Sequence, residues 1–213
     1  MSRRPPLSRP RILEAAVAFA DEHGADALTM RKVADALGFR VMSLYNHVAN
    51  KNEMLTGMVD LVVGEIEPPP TRGSWQELMQ ASAASAHHVL LRHPWAASEW
   101  SKRHPGPNRL RYMDDILRIL TEADLGPSIV YRGYHAITMH IVGFTLQEAG
   151  FEGEMASDFE QMAQDFLDQM SDQLPYLAEH VRGHLDPCGH GDEFAFVLSL
   201  ILDGLERAAR PRG

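Results

Sequence analysis

The chain has 213 residues, 45% of them hydrophobic and 23% charged, with a net charge of −9 and a single cysteine, Cys188. Such a composition supports one packed body, or one small and one medium domain, excludes an internal disulfide and suits a reducing compartment. The most apolar run, residues 194–202, is too short for the roughly 20 residues of a membrane helix, and the basic start MSRRPPLSRPR leads into a helix with Glu14, Asp21 and Glu22, unlike a signal peptide; a soluble cytoplasmic protein is expected.

Helical periodicity runs through the chain without an alternating strand pattern and predicts an all-α fold of about nine to ten helices. The first helix, residues 10–23, places Ile12, Ala15, Ala16, Phe19 and Ala20 on one face. Thr29 suits the N-cap of a second helix, with Leu28 and Val33 able to close as a hydrophobic staple, and Gly38 supplies the left-handed residue that ends it. Val33, Ala34 and Leu37 form its inward stripe, leaving Arg31, Lys32 and Asp35 outside. A third segment, residues 40–47, turns Leu44 inward, as Val48 does just after it. Asn50 then caps a fourth helix, residues 51–66, with Glu53 completing a capping-box arrangement. The segment PPPTRGS separates this helix from the rest of the chain and divides the sequence into residues 1–66 and 67–213. In the second part, helices are expected at 74–92, 94–103, 107–124, 126–149, 156–173 and 192–209.

Residues 29–51 outline two short helices folded across a tight turn, the shape of a DNA-reading helix-turn-helix. Arg40, Val41, Ser43, Tyr45, Asn46 and His47 are crowded outward on the second helix, where a duplex offers phosphates to donate to and base edges to read. A solvated helical hairpin fits the same periodicity. Charge distribution favours the duplex. Residues 1–52 hold eight Arg or Lys against five Asp or Glu, a balance of plus three, so the remainder carries minus twelve. A mildly basic end on an acidic body orients a protein on a polyanion.

The strings T-x-R-K-V-A-x-x-L-G (from Thr29), S-L-Y-N-H-V (from Ser43) and N-K-x-E-M-L (from Asn50) resemble the tetracycline-repressor (TetR) family of bacterial transcriptional regulators, and the likeness extends upstream through residues 12–24. The resemblance implies groove-facing roles for Arg31, Arg40, Val41, Met42, Ser43 and Asn46, with Arg40 the best candidate for a guanine, and phosphate contacts for Thr29, Lys32, Tyr45, His47 and Lys51. Val41 and Met42 offer only apolar contact, which implies an operator of this protein's own. The arginine-rich tail before Ser8 fits either a minor-groove arm or a mobile terminus.

The helix at 126–149 is apolar on more than one face and so expected to be buried by two sets of neighbours. It and the last helix, FAFVLSLILDGLERAAR, fit an intrachain core; their likeness, with GFTLQE at 143–148, to the family's dimer-forming helices implies a homodimer matched to a palindromic operator. The function so implied is a repressor released by a small, mostly apolar effector. Candidate walls of the effector site are Trp95, Trp100, Met113, Leu117, Tyr131, His135, Met139, Phe144 and Gln147. Glu67, Ser82, Trp100 and Gln147 stand where tetracycline-responsive members hold the drug and its magnesium, and none matches, so tetracycline is not the expected effector. His180, His184, Cys188 and His190 could share a metal, but Arg182, Gly183 and Asp186-Pro187 read as a helix ending in a loop, and no cofactor or metal is expected. A DNA-binding dimer without effector, and a histidine-rich metal protein or enzyme, are the alternatives. No nucleophile elbow, phosphate loop or H-E-x-x-H spacing supports catalysis.

Overall fold

The computed structural model describes residues 5–150, 154–185 and 192–210, those at 154–158 by backbone only. Among the described residues every regular element is an α-helix, eleven in all: α1 (Arg9–His23), α2 (Met30–Leu37), α3 (Val41–Leu44), α4 (Lys51–Val63), α5 (Trp75–Arg92), α6 (Pro94–Trp100), α7 (Pro107–Glu122), α8 (Pro127–Gly150), α9 (Glu154–Met170), α10 (Pro175–Leu185) and α11 (Glu193–Ala209). The all-α expectation holds, with more helices than the nine to ten expected. The unforeseen one is α10, whose Gly183 and flanking histidines resemble a fraying end in sequence.

Local chemistry sets most helix ends. Gly24 (φ 78) and Gly38 (φ 66, ψ 39) turn the chain after α1 and α2 in the left-handed half of backbone space, where a residue with a side chain is strained. Asn50 Oδ1 accepts from the Glu53 amide at 2.9 Å, and Glu53 Oε2 accepts from the Ala49 amide at 2.7 Å, one residue before the position a standard capping box would bind. At α5 the box is complete: Ser74 accepts from the Glu77 amide, and the Glu77 carboxylate accepts from the Ser74 amide at 2.7 Å. Those bonds to Ser74 hold the Glu77 carboxyl below the usual range.

Helix α1 buries a wider face than its spacing suggests. Leu13 and Val17 join Ile12, Ala16 and Ala20 inside, while Ala15 and Phe19 are only partly covered. Leu13 lies against Gly57 of α4, where a methyl group would come within 2.9 Å of its branch carbons, so the two helices cross closely. One continuous core then runs from α1 through α4 into α5, α6 and α7, with Ile12, Met58, Leu90, Ile116 and Leu120 almost fully enclosed.

Within one chain α8 finds only one of the two sets of neighbours expected for it. Only one face is buried, by Gly133, Ile137, Ile141, Val142 and Thr145. Tyr131, Met139 and Leu146 stand open on the other, Met139 at 73% exposure. Its neighbour α11 does the same, burying Phe194, Leu198 and Leu202 and exposing Phe196 and Leu200. Two adjacent helices thus turn apolar side chains away from their own core.

Candidate nucleic-acid interface and ligand cavity

The α2–α3 hairpin forms as its residues dictate. Thr29 Oγ1 accepts from the Lys32 amide at 3.2 Å, and Leu28 and Val33 close the staple with no exposed surface. Regular helix in α3 covers only Val41–Leu44, and the chain continues to His47 as a turn in which the His47 and Val48 amides both donate to the Leu44 carbonyl at 2.9 Å. The expected segment at 40–47 is therefore a short helix and a turn, with Arg40 as its N-cap residue.

This geometry gathers most of the sequence candidates on one outer surface. Thr29, Arg31, Lys32, Arg40, Met42, Tyr45, Asn46 and Lys51 lie toward solvent, Met42 at 69% exposure and Lys51 half-buried, while Ser43 and His47 are also half-buried. Val41 is half-buried as well and packs partly against the core. Lys32 and Lys51 converge on the loop between α1 and α2. The Lys32 ammonium donates to the Ala27 carbonyl at 2.9 Å and lies 5.3 Å over the Phe19 ring, and Lys51 Nζ reaches the Asp26 carbonyl at 3.4 Å. These ties hold two cations at one edge of the hairpin, a role the sequence did not suggest.

The hairpin's support is bonded to the helices beyond it. Asp21 Oδ1 of α1 accepts from Trp95 Nε1 at 2.7 Å and lies 2.7 Å from His93 Nδ1, while His93 Nε2 lies 3.4 Å from Glu65 Oε2. Arg92 completes this joint with a 2.8 Å bond to Glu65. Burial raises the Glu65 carboxyl's pKa, but Arg92 and His93 outweigh it and hold it below the usual range.

A cavity of about 690 Å³ opens between α5, α8, α10 and the start of α11, a size suited to a drug-like molecule. Helix α5 contributes His87, His88 and Leu91, and α8 contributes Phe144, Gln147 and Glu148. His180 and His184 come from α10, and Asp192, Glu193 and Phe194 from the start of α11. His87 is the hub. Its side chain is 7% exposed, its ring stacks on Phe194 at 4.1 Å, Nδ1 lies 2.9 Å from Thr145 Oγ1, and Nε2 lies 3.1 Å from Glu148 Oε2. Burial first, then repulsion from His88 and His140, pushes its pKa down to about 4 against the opposing pull of Asp192, so the ring is neutral near pH 7. Thr145 donates its one hydroxyl hydrogen to the Ile141 carbonyl at 2.7 Å, so its Oγ1 accepts from His87 Nδ1–H.

Of the nine ligand candidates read from sequence, Phe144 and Gln147 line this cavity and seven do not. Trp95 is buried with its indole on Asp21, and Trp100 is buried under the Arg109 guanidinium, 4.6 Å from its ring. Met113 and Leu117 are half-buried on α7, and Tyr131, His135 and Met139 sit on the open face of α8. Sequence reasoning missed Glu148 and Phe194, because their shared partner, His87, lies 61 and 107 residues away in the chain. His180 and His184 reach the cavity with ring centroids 6.4 Å apart. Cys188 and His190 lie outside the described residues, among which no group of three or more His, Cys, Asp or Glu side chains could hold a metal.

An all-helical body bearing an exposed hairpin of this kind defines a helix-turn-helix DNA-binding protein. Residues 12–58 match the bacterial regulatory proteins of the tetR family, and residues 67–209 match the tetracyclin repressor-like C-terminal domain. The chain belongs to that family, whose members are transcriptional regulators and not enzymes. It is 36% identical, over 68% of its length, to an HTH-type transcriptional regulator of Saccharopolyspora erythraea, of which it spans 63%. It is 31% identical, over 95% of its length, to the HTH-type transcriptional repressor DrrR1 of Streptomyces coeruleorubidus, of which it spans 78%. Among solved structures it is similar to the TetR family protein ActR of Streptomyces coelicolor in complex with actinorhodin, with a TM-score of 0.82 at 27% identity over 97% of this chain and all of that one. Among the described residues no helix is long and apolar enough to cross a membrane.

Proposed function

We propose that this protein is a cytoplasmic transcriptional repressor that binds a palindromic operator as a homodimer and is released when a small molecule enters the cavity between α5, α8, α10 and α11. The observation that carries the DNA-binding reading is the hairpin itself, a capped α2, a left-handed Gly38 and an outward α3 surface of cationic, hydroxyl, amide and aromatic groups. Arg31, Arg40, Met42, Ser43 and Asn46 face the groove, with the outer edge of Val41. Thr29, Lys32, Tyr45, His47 and Lys51 hold the backbone. Residues 1–66 form the reading unit and 67–213 the sensing and pairing unit.

Pairing is supported by the open apolar faces of α8 and α11, which lie side by side and repeat across a twofold axis as a four-helix interface. Sensing is supported by the ActR structure solved with actinorhodin and by the cavity's size. The joint through Asp21, His93 and Glu65 gives a bonded route from the sensing helices to α1. Binding of the purified protein to the DNA flanking its own coding region, measured by fluorescence anisotropy, tests the reading. Saturable binding that weakens steeply with salt is expected, and its absence at low salt would refute it.

A further inference from the structure

Helix α6 ends on a buried acid. Glu99 stands in its last turn, 7% exposed, where the helix dipole disfavours a negative charge and burial adds a desolvation cost. Burial raises its carboxyl pKa, but Lys102 and Arg103 outweigh it and hold the group below the usual range, so the charge is kept at neutral pH. A buried pair of this kind adds little stability over an apolar contact, but it fixes geometry. Arg103 Nε donates to Glu99 Oε2 at 2.7 Å, Nη2 donates to the same oxygen, and Nη1 donates to Asn52 Oδ1 of α4 at 2.9 Å. All three guanidinium nitrogens are committed, and a planar fork so held has one orientation. Arg109 closes the loop from the other side, its Nη1 donating to the Trp100 and Arg103 carbonyls at 2.5 and 3.1 Å. Asn52 follows Lys51 in the first turn of α4, and Asp60 of the same helix caps α7. The corner between α6 and α7 thus grips α4 at two points about 12 Å apart along its axis, since each residue rises about 1.5 Å. Two directed ties fix the direction of a helix as well as its position, which apolar packing alone leaves free to rotate slightly.

Resting on the reading of this protein as a paired, operator-binding repressor, we propose that Arg103 is a positioning residue for operator recognition: held by Glu99 and bonded to Asn52, it sets the direction of α4, and with it the separation of the two hairpins in the dimer and the half-site spacing they accept. Arg103 itself touches no base or phosphate in this arrangement. Its effect is on where the reading surface stands, not on what that surface reads.

Two measurements on the full-length protein test this with two variants. Arg103→Lys keeps the charge but replaces the fork with a single ammonium, and Asn52→Ala removes an exposed acceptor without touching the core. The first measurement uses no DNA: Asp35→Cys, at an exposed site on α2, carries a nitroxide in a Cys188→Ser background, and electron–electron resonance reads the distance between the two labels of a dimer. One narrow distance is expected in the parent, and a distribution at least about twice as wide in each variant. For the second, the palindrome that the parent selects from random DNA is lengthened or shortened by one base pair at its centre. The parent's affinity is expected to fall at least about tenfold on either change and each variant's less than about threefold, because spacing is matched by the geometry of the two heads. Binding to a single half-site duplex is expected to stay within about twofold in all three proteins, since the reading surface is intact. Distances as narrow in the variants as in the parent, unchanged spacing discrimination, or a loss on the half-site equal to that on the palindrome would each overturn the role of Arg103 alone. A parent that gives no paired distance, or that selects no palindrome, would overturn the reading beneath it and this proposal together.

Discussion

His93 Nδ1 lies 2.7 Å from Asp21 Oδ1, joining the start of α6 to the helix that carries the reading hairpin. The same oxygen accepts from the indole of Trp95, which is almost fully buried. Asp21→Ala would leave that N–H without its acceptor, a loss of about 1–3 kcal/mol. A double-mutant cycle with Trp95→Phe, read by thermal melting, is expected to show strong coupling, since phenylalanine has no N–H to strand. Additive losses would assign the stability to packing alone.

Helix α7 begins at Pro107 after Gly106, which has no side chain to cap it, and the cap comes from α4 instead. Asp60 Oδ1 accepts from the Arg109 amide at 3.0 Å and Oδ2 from the Asn108 amide at 3.3 Å. A methyl group on Gly106 would sit 2.4 Å from Asp60 Cγ, although the backbone there (φ −88) suits alanine. Gly106→Ala is therefore expected to expel the Asp60 carboxylate and cost about 0.5–2 kcal/mol, as loss of a cap does. Adding Asp60→Ala should cost little more. A melting temperature that falls equally again in the double variant would break the argument.

How much of this was legible in the sequence depends on how local the cause is. Thr29, Gly38 and Asn50 act on backbone groups within four residues, so the hairpin and its caps can be read from spacing. The cavity cannot. His87, Glu148 and Phe194 lie on three helices far apart in the chain, and a histidine on a periodic helix looks like any surface histidine until a stacking partner arrives. Large aromatic residues such as Trp95 and Trp100 suggest a ligand wall in sequence, but each has a cross-element partner, Asp21 for one and Arg109 for the other, that commits it to structure. The two-sided apolarity of α8 calls for two sets of neighbours, and within one chain only one set exists.

His87 makes stability depend on pH in a definite direction. Its folded pKa of about 4 lies below the ordinary value near 6.5, so between these limits the unfolded chain binds a proton that the folded chain does not. Its contribution is fully present above about pH 6.5 and is lost as pH falls toward 4. His87→Gln carries no titrating ring. Its melting temperature is expected to fall less steeply than the parent's over that window, with the distant carboxyls of Glu65 and Glu77 titrating alike in both. Equal slopes would mean that His87 takes up its proton in the folded state too.

Leu200 is half exposed on α11, beside the open face of α8. A charge there does not disturb the chain's own core but cannot be desolvated between two copies. Leu200→Glu is expected to leave the helical circular dichroism intact, to halve the mass measured by sedimentation, and to weaken operator binding at least tenfold, because each half-site is then held separately. A dimer that persists with unchanged mass would place the pairing surface elsewhere.

Arg40 and Tyr45 lie on the same exposed hairpin, and their chemistries divide the work between them. A guanidinium can bond O6 and N7 of a guanine together, and that pairing is worth about 1–3 kcal/mol of discrimination. A phenol hydroxyl donates equally well to a phosphate at any sequence. Tyr45→Ala is thus expected to weaken binding by a similar factor on every DNA, whereas Arg40→Ala should relax the preference at one base step in each half-site and leave the others sharp. Selection of bound sequences from random DNA with each variant reads both outcomes at once. If the Tyr45 variant changed the selected bases and the Arg40 variant did not, the reading and holding roles would have to be exchanged.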